Sequence, residues 1–233
     1  VWADYIAVLL RAGEDSRAWV LADQELNLNT APAFVIDELL HSALAVGDNK
    51  RAALYSLAGY QRSPDPVEYA LVKSRVLADH VLYQEAGDLL ESQLQLTPQN
   101  PYLLLAQLTL QMQATPEVDN REQLRSLLAA YPDTMAIQYA LAQSSAIQAG
   151  FGRHQSALVD LDDLYQRNRG DVAIGGDLLV VLSWNEQYRR AVSIYDELGD
   201  VELAPYIQLL LLLTQHLRRS LDHCRRLPWS AFP

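Results

Sequence analysis

The sequence predicts an all-α chain, a right-handed α-α superhelix of antiparallel helix pairs, and three observations carry that expectation. Leu, Ala, Gln, Glu and Arg dominate the 233 residues, with only ten Gly and ten Pro and almost no alternating Val, Ile and Thr runs. Most of these residues lose little side-chain freedom in a helix. Pro64, Pro98 and Pro132 stand 34 residues apart. Ala18, Ala52 and Ala86 keep that interval, as do Ala157 and Ala191, and a fixed period of this length marks stacked supersecondary units.

Packing explains why these residue types recur. Two helices that cross closely need a small side chain at the crossing, and alanine supplies it without losing helix propensity. Proline at the end of the second helix stops it, because it lacks the amide proton and its ring clashes with the preceding turn. Gly13, Gly47 and Gly152 each lie five residues before a crossing alanine, where the turn between the two helices belongs.

The elements follow in order. Residues 1–32 form a partial copy in which Val1 takes the third place, so the natural chain is expected to begin earlier. Full copies are expected at 33–66, 67–100, 101–134, 135–171 and 172–205. The third has Asn120 at the crossing and a polar turn from Ala114 to Gln123, so one of its helices is expected to be short or displaced. The fourth is three residues longer, placed near Gln148 to Arg153, and has Arg169-Gly170 in place of the proline. Residues 206–219 read as a long apolar helix, followed by a short one ending at Pro228; at 206–233 these would close the exposed face of the last copy.

A unit of 34 residues, a small residue at its twentieth position and proline at its thirty-second resemble the tetratricopeptide repeat (TPR) family, over roughly residues 1–205. Trp2 falls on the fourth position of its copy, where the family favours a large apolar residue. The eighth position departs from the family's small residue, holding Leu40, Ser74, Leu108, Ala142 and Leu179.

Composition bounds the function. A formal net charge of −11 at pH 7 disfavours nucleic acid, whose phosphates need a basic stripe. Residues 1–100 carry fourteen acidic and seven basic side chains, whereas Arg218, Arg219, Arg225 and Arg226 cluster near the end. A single cysteine, Cys224, allows no intrachain disulfide and no thiolate zinc cluster. Apolar runs such as Leu209 to Leu213 are too short to cross a bilayer, so a membrane is expected only through regions outside residues 1–233. Two Lys against sixteen Arg suggest a GC-rich bacterial genome.

The sequence offers little chemistry. Glu38 and His41 share a helix face and resemble half of a di-iron site, but there is no second Glu-x-x-His. His80, His154, His216 and His223 make no ligand spacing and are expected at the surface. Asp160-Leu161-Asp162-Asp163 lacks the Gly and terminal Glu of a calcium loop and reads as a solvated helix face. Gly150-Phe151-Gly152 lacks the rest of any phosphate fingerprint and reads as a turn. Cys224 beside His223 sets no base against a nucleophile. No enzyme activity, cofactor or metal site is therefore expected.

The resemblance implies a groove lined by the first helix of each pair, which binds a partner protein. Mapped by position, the groove residues are Phe34, Asp37, Glu38 and His41; Glu68, Arg75 and Asp79; Tyr102, Thr109, Met112 and Gln113; Tyr139 and Gln143; and Asp177 and Trp184. Such a groove would be acidic at its N-terminal end and would suit a segment with basic and apolar anchors. Only Arg75 among these positions is basic, so the carboxylate clamp of some relatives is expected to be absent. The expected role is a scaffold recruiting a partner to a larger bacterial assembly, in the periplasm or at a membrane, as in exopolysaccharide secretion and biofilm systems. Two alternatives stand beside it: a polysaccharide stacked on Tyr102, Tyr139 and Trp184, or a tethering domain of a larger enzyme or membrane protein.

Overall fold

Twelve α-helices and no strand are found among residues 1–199, the residues described by the computed structural model. The closing helices expected at 206–233, Cys224 and the terminal arginine cluster lie outside the described residues. The chain divides into two units, Val1–Ala114 and the residues from Thr115 onward.

The first unit holds α1 (Trp2–Arg11), α2 (Asp15–Glu25), α3 (Ala33–Val46), α4 (Asn49–Arg62), α5 (Pro66–Asp79), α6 (Tyr83–Leu96) and α7 (Pro101–Ala114). Here α1 packs on α2 and α3, α3 on α4, and α5 on α6 and α7. Ile6, Leu9, Ile36, Leu39, Tyr55 and Leu77 belong to a common core. The second unit holds α8 (Arg121–Ala130), α9 (Met135–Gly150), α10 (His154–Arg167), α11 (Val172–Trp184) and α12 (Tyr188–Leu198). In it α9 packs on α8, α10 and α11, and α12 on α11. Residues 101–134, read from the sequence as one copy, contribute α7 to the first unit and α8 to the second.

Local chemistry sets the helix ends. The Asp48, Asp65 and Asp171 carboxylates accept from the backbone amides of Arg51, Glu68, and Ala173 and Ile174, capping α4, α5 and α11. Pro66 and Pro101 open α5 and α7 at the first helical position, where the missing amide proton costs no bond. Pro64, Pro98 and Pro132 all lie just beyond α4, α6 and α8. The three extra residues of the fourth copy go largely into α9, which has 16 residues against 14 in α3 and α5.

The crossing alanines behave as packing demands. Ala18, Ala52, Ala86, Ala157 and Ala191 are all 0% exposed. In the third copy Asn120 takes that place, 1% exposed, and its side-chain oxygen accepts from Ser144 at 2.8 Å. It marks the start of α8, which has only ten residues.

The turn within every pair but α7 and α8 is a Schellman-type stop. At Gly47 φ is +74°, and Asp48 N–H donates to the Ala43 carbonyl five residues back at 2.9 Å. The same bond recurs from Leu82 to Leu77 at 2.9 Å, with Val81 as the left-handed residue at φ +64°. Glu186 repeats it at φ +58°. Glycine is the residue that adopts this backbone without cost, so Val81 and Glu186 hold strained positions.

Candidate functional site

The expected groove residues fall into three groups once side chains are placed. In the first unit, Phe34 and His41 on α3, Glu68, Arg75 and Asp79 on α5, and Tyr102 and Gln113 on α7 are exposed at matching places of the 34-residue period. Val72, one turn beyond Glu68, was not mapped from the sequence but is 52% exposed on the same face of α5. The helical spacing of four, seven and eleven residues keeps these side chains on one face of each helix.

A second group is engaged within the unit. Asp37 sits 3.0 Å from the ammonium of Lys73, a lysine only 8% exposed, so its charge is compensated. Glu38 accepts two bonds from Arg11, from Nε at 2.9 Å and Nη2 at 2.6 Å. Two of the four carboxylates that made the N-terminal end of the groove acidic thus carry their own counter-ions. Opposite charge 27 or 28 residues away recurs in Arg11–Glu38, Asp23–Arg51 and Asp162–Arg190. This offset, about two turns short of the repeat, was the available signal for Glu38.

The third group is buried. Met112, placed in the groove by position, is 5% exposed, and Leu10, Leu44 and Ala78 at the same phase are 9%, 6% and 7% exposed. The twelfth position therefore turns into the helix pair, which corrects its assignment to the groove. Thr109 is half-buried and returns its hydroxyl to the Leu105 carbonyl at 2.9 Å.

In the second unit Tyr139, Gln143 and Trp184 are exposed and Asp177 half-buried. The Tyr139 hydroxyl donates to Asp171 at 2.8 Å, tying α9 to the cap of α11. Trp184 meets His154 edge-on, with ring centroids 6.2 Å apart. His154, expected at the surface, is half-buried by this contact. Burial pushes the Asp177 carboxyl up to about 6.

The acidic run of α10 is a solvated face only in part: Asp163 is exposed, but Asp160 is 6% exposed. It accepts from Arg125 Nε at 2.7 Å and Nη2 at 2.9 Å, from Arg121 Nη1 at 3.2 Å and from Ser145 at 3.1 Å. Arg121, 3% exposed, also forks onto Asp119 at 2.7 and 2.9 Å and holds that carboxyl down to about 2. Asp162 and Asp163 pair with Arg190 and Arg167. Asp160 is thus an internal strut that binds α10 to α8, whereas the Asp163–Arg167 pair lies at the surface of α10.

Among the described residues no group of three or more His, Cys, Asp or Glu could hold a metal ion. Glu38 and His41 do not gather further ligands, since Glu38 is spent on Arg11. Among the same residues no helix is long and apolar enough to cross a membrane.

No protein-family model matches the chain, and no curated protein matches it. Among solved structures, a tetratricopeptide repeat protein from Parabacteroides merdae is similar, with a TM-score of 0.55 at 12% identity over 92% of this chain and 83% of that one. At that identity the likeness is one of fold: the chain has a TPR-like all-α repeat architecture. MamA of AMB-1 aligns over 89% of this chain and 94% of its own at 13% identity, with a TM-score of 0.37.

Proposed function

We propose that the chain is a non-catalytic scaffold that holds a protein partner against the first-helix face of its N-terminal unit and recruits it to a larger bacterial assembly. One observation carries this reading. Phe34, Val72 and Tyr102, at 44%, 52% and 58% exposed, lie on successive first helices, and Glu68, Arg75 and Asp79 form no ion pair among the described residues. Large apolar side chains beside uncompensated charges of both signs are what a specific interface offers.

The pairing of Asp37 and Glu38 changes the partner's expected chemistry. The face is not uniformly acidic, so it suits a segment with apolar anchors and alternating charges, a cation toward Glu68 and Asp79 and an anion toward Arg75. The Arg-over-Lys skew and the TPR-like fold support a bacterial envelope assembly as the place to search, export machinery included.

Site-specific photocrosslinking tests the proposal. A photoreactive residue at Phe34 or Tyr102 is expected to capture one and the same protein from a bacterial envelope extract, and one at Leu54, exposed on α4, to capture none. Arg75→Glu should abolish the capture without changing the melting curve. Equal capture from Leu54, or protection of Tyr102 by an oligosaccharide in the absence of any protein, would remove the assignment.

A further inference from the structure

Three residues after the crossing alanine, α4, α6 and α12 place Tyr55, Leu89 and Ile194, which are 1%, 4% and 7% exposed. After Ala157 the same place on α10 is held by Asp160. An apolar contact of the other copies is thus replaced by a carboxylate that reaches Arg121 and Arg125 of α8. A second pair of residues departs with it. In the first unit the rings of Tyr60 and Tyr69 have centroids 6.5 Å apart, and the Tyr60 hydroxyl donates to Gln93 of α6 at 3.2 Å. Their equivalents in the second unit, Leu128 and Ile137, have no ring to fill that space.

A cleft of about 650 Å³ lies there between α8 and α10. Leu128, Ala129, the buried Leu141 of α9 and Val159 supply its apolar lining. Val159 is 70% exposed, so this apolar surface stands open to water. The volume is that of a small-molecule pocket, about 300–1,000 Å³.

The charged groups of the cleft are not equally available. Asp160 accepts from Arg125 twice, from Arg121 and from Ser145, which fills the lone pairs of a carboxylate. Arg167 meets Asp163 one turn back on the same helix at 2.8 Å, with both side chains more than half exposed. Such a surface pair contributes little and is readily exchanged. A guanidinium carries a planar fork of N–H donors, so Arg167 can turn to an acid beside the apolar lining while the released Asp163 stays hydrated.

We propose that this cleft binds a small amphipathic acid, with its apolar body laid over Leu128, Leu141 and Val159 and its carboxylate taken by Arg167. The cleft shares no residue with the face of α3, α5 and α7 proposed to hold a protein partner, so either reading can fail alone.

Titrating octanoate, octanol and octylamine into the 233-residue chain tests it, with methyl NMR spectra as the readout. Octanoate should shift the methyl signals of Leu128, Leu141 and Val159 saturably and bind about tenfold or more tightly than octanol, since only the acid gains charge-assisted bonds. Arg167→Gln should remove that preference and leave octanol binding as it was. Ala129→Phe, at an exposed position of the lining, should fill the cleft and abolish the shifts with the melting curve unchanged. Octanol or octylamine binding as tightly as octanoate overturns the proposal, as do octanoate shifts that miss these three residues or survive Ala129→Phe. So does a photocrosslink from Val159 to a protein of an envelope extract, which would make a protein segment the occupant.

Discussion

Replacing Val81 by glycine should stabilise the first unit, and the structure allows the size of the gain to be worked out. Val81 stands at φ +64° in the turn between α5 and α6, where Gly13 and Gly47 hold φ +75° and +74° in the preceding copies. An L-residue in that conformation costs about 1–2 kcal/mol, because Cβ approaches the following carbonyl oxygen, and β-branching worsens the crowding. Val81 is 69% exposed, so shortening it forfeits little buried surface. Against this stands the greater freedom of glycine in the unfolded chain, about 0.5–1 kcal/mol. The balance is a gain of about 0.5–1 kcal/mol, or about 2–6 °C in melting temperature for a unit of this size. Gly47→Ala supplies the reciprocal measurement. Nothing lies within 4 Å of a Cβ built there, so its cost reports backbone conformation alone. Urea denaturation followed by far-UV circular dichroism should show Val81→Gly stabilised and Gly47→Ala destabilised by about 1 kcal/mol. A neutral or destabilised Val81→Gly beside a costly Gly47→Ala would refute the strain argument.

Three further outcomes are expected. Asp160→Ala should destabilise the second unit by about 3 kcal/mol, since it strips the buried Arg121 of one of its two carboxylates, and chemical denaturation would measure it. Asp177→Asn should stabilise the protein at pH 7 by on the order of 1–3 kcal/mol, because burial raises its carboxyl from the ordinary 3.8 to about 6. The folded chain disfavours the charged form, so stability from this group is present below pH 4 and falls as pH rises to about 6; melts of the wild type and Asp177→Asn at pH 4 and 7 should diverge only at the higher pH. Gly59→Ala should cost about 1–3 kcal/mol, because its Cβ would run into the Tyr69 hydroxyl, and Tyr69→Phe should restore part of that in a thermal melt.

The architecture was legible because it depends on spacing. Small residues at a fixed interval, a proline after three of the second helices and a glycine in three of the turns identify a TPR-like array, and the five crossing alanines, fully buried, show the packing reason. The helical phase of exposed residues on α3 and α5 was legible for the same reason. Neighbouring copies, however, set the fate of each charge. Glu38 looked free because its partner Arg11 lies 27 residues away in a copy with no full register, and Asp37 because Lys73 sits at a position not counted as groove-lining. Asp160 looked like part of a solvated run because two arginines from a degenerate copy close over it.

The amino-acid order alone determined that this chain coils into paired helices, where each pair turns and stops, and which residues must be small, since these are properties of one helix or one crossing. Only the tertiary structure decided which carboxylates meet a counter-ion and that the twelfth position points inward. Those outcomes depend on what lies within a few ångströms across a helix interface, and Coulomb energy and burial are settled at that distance.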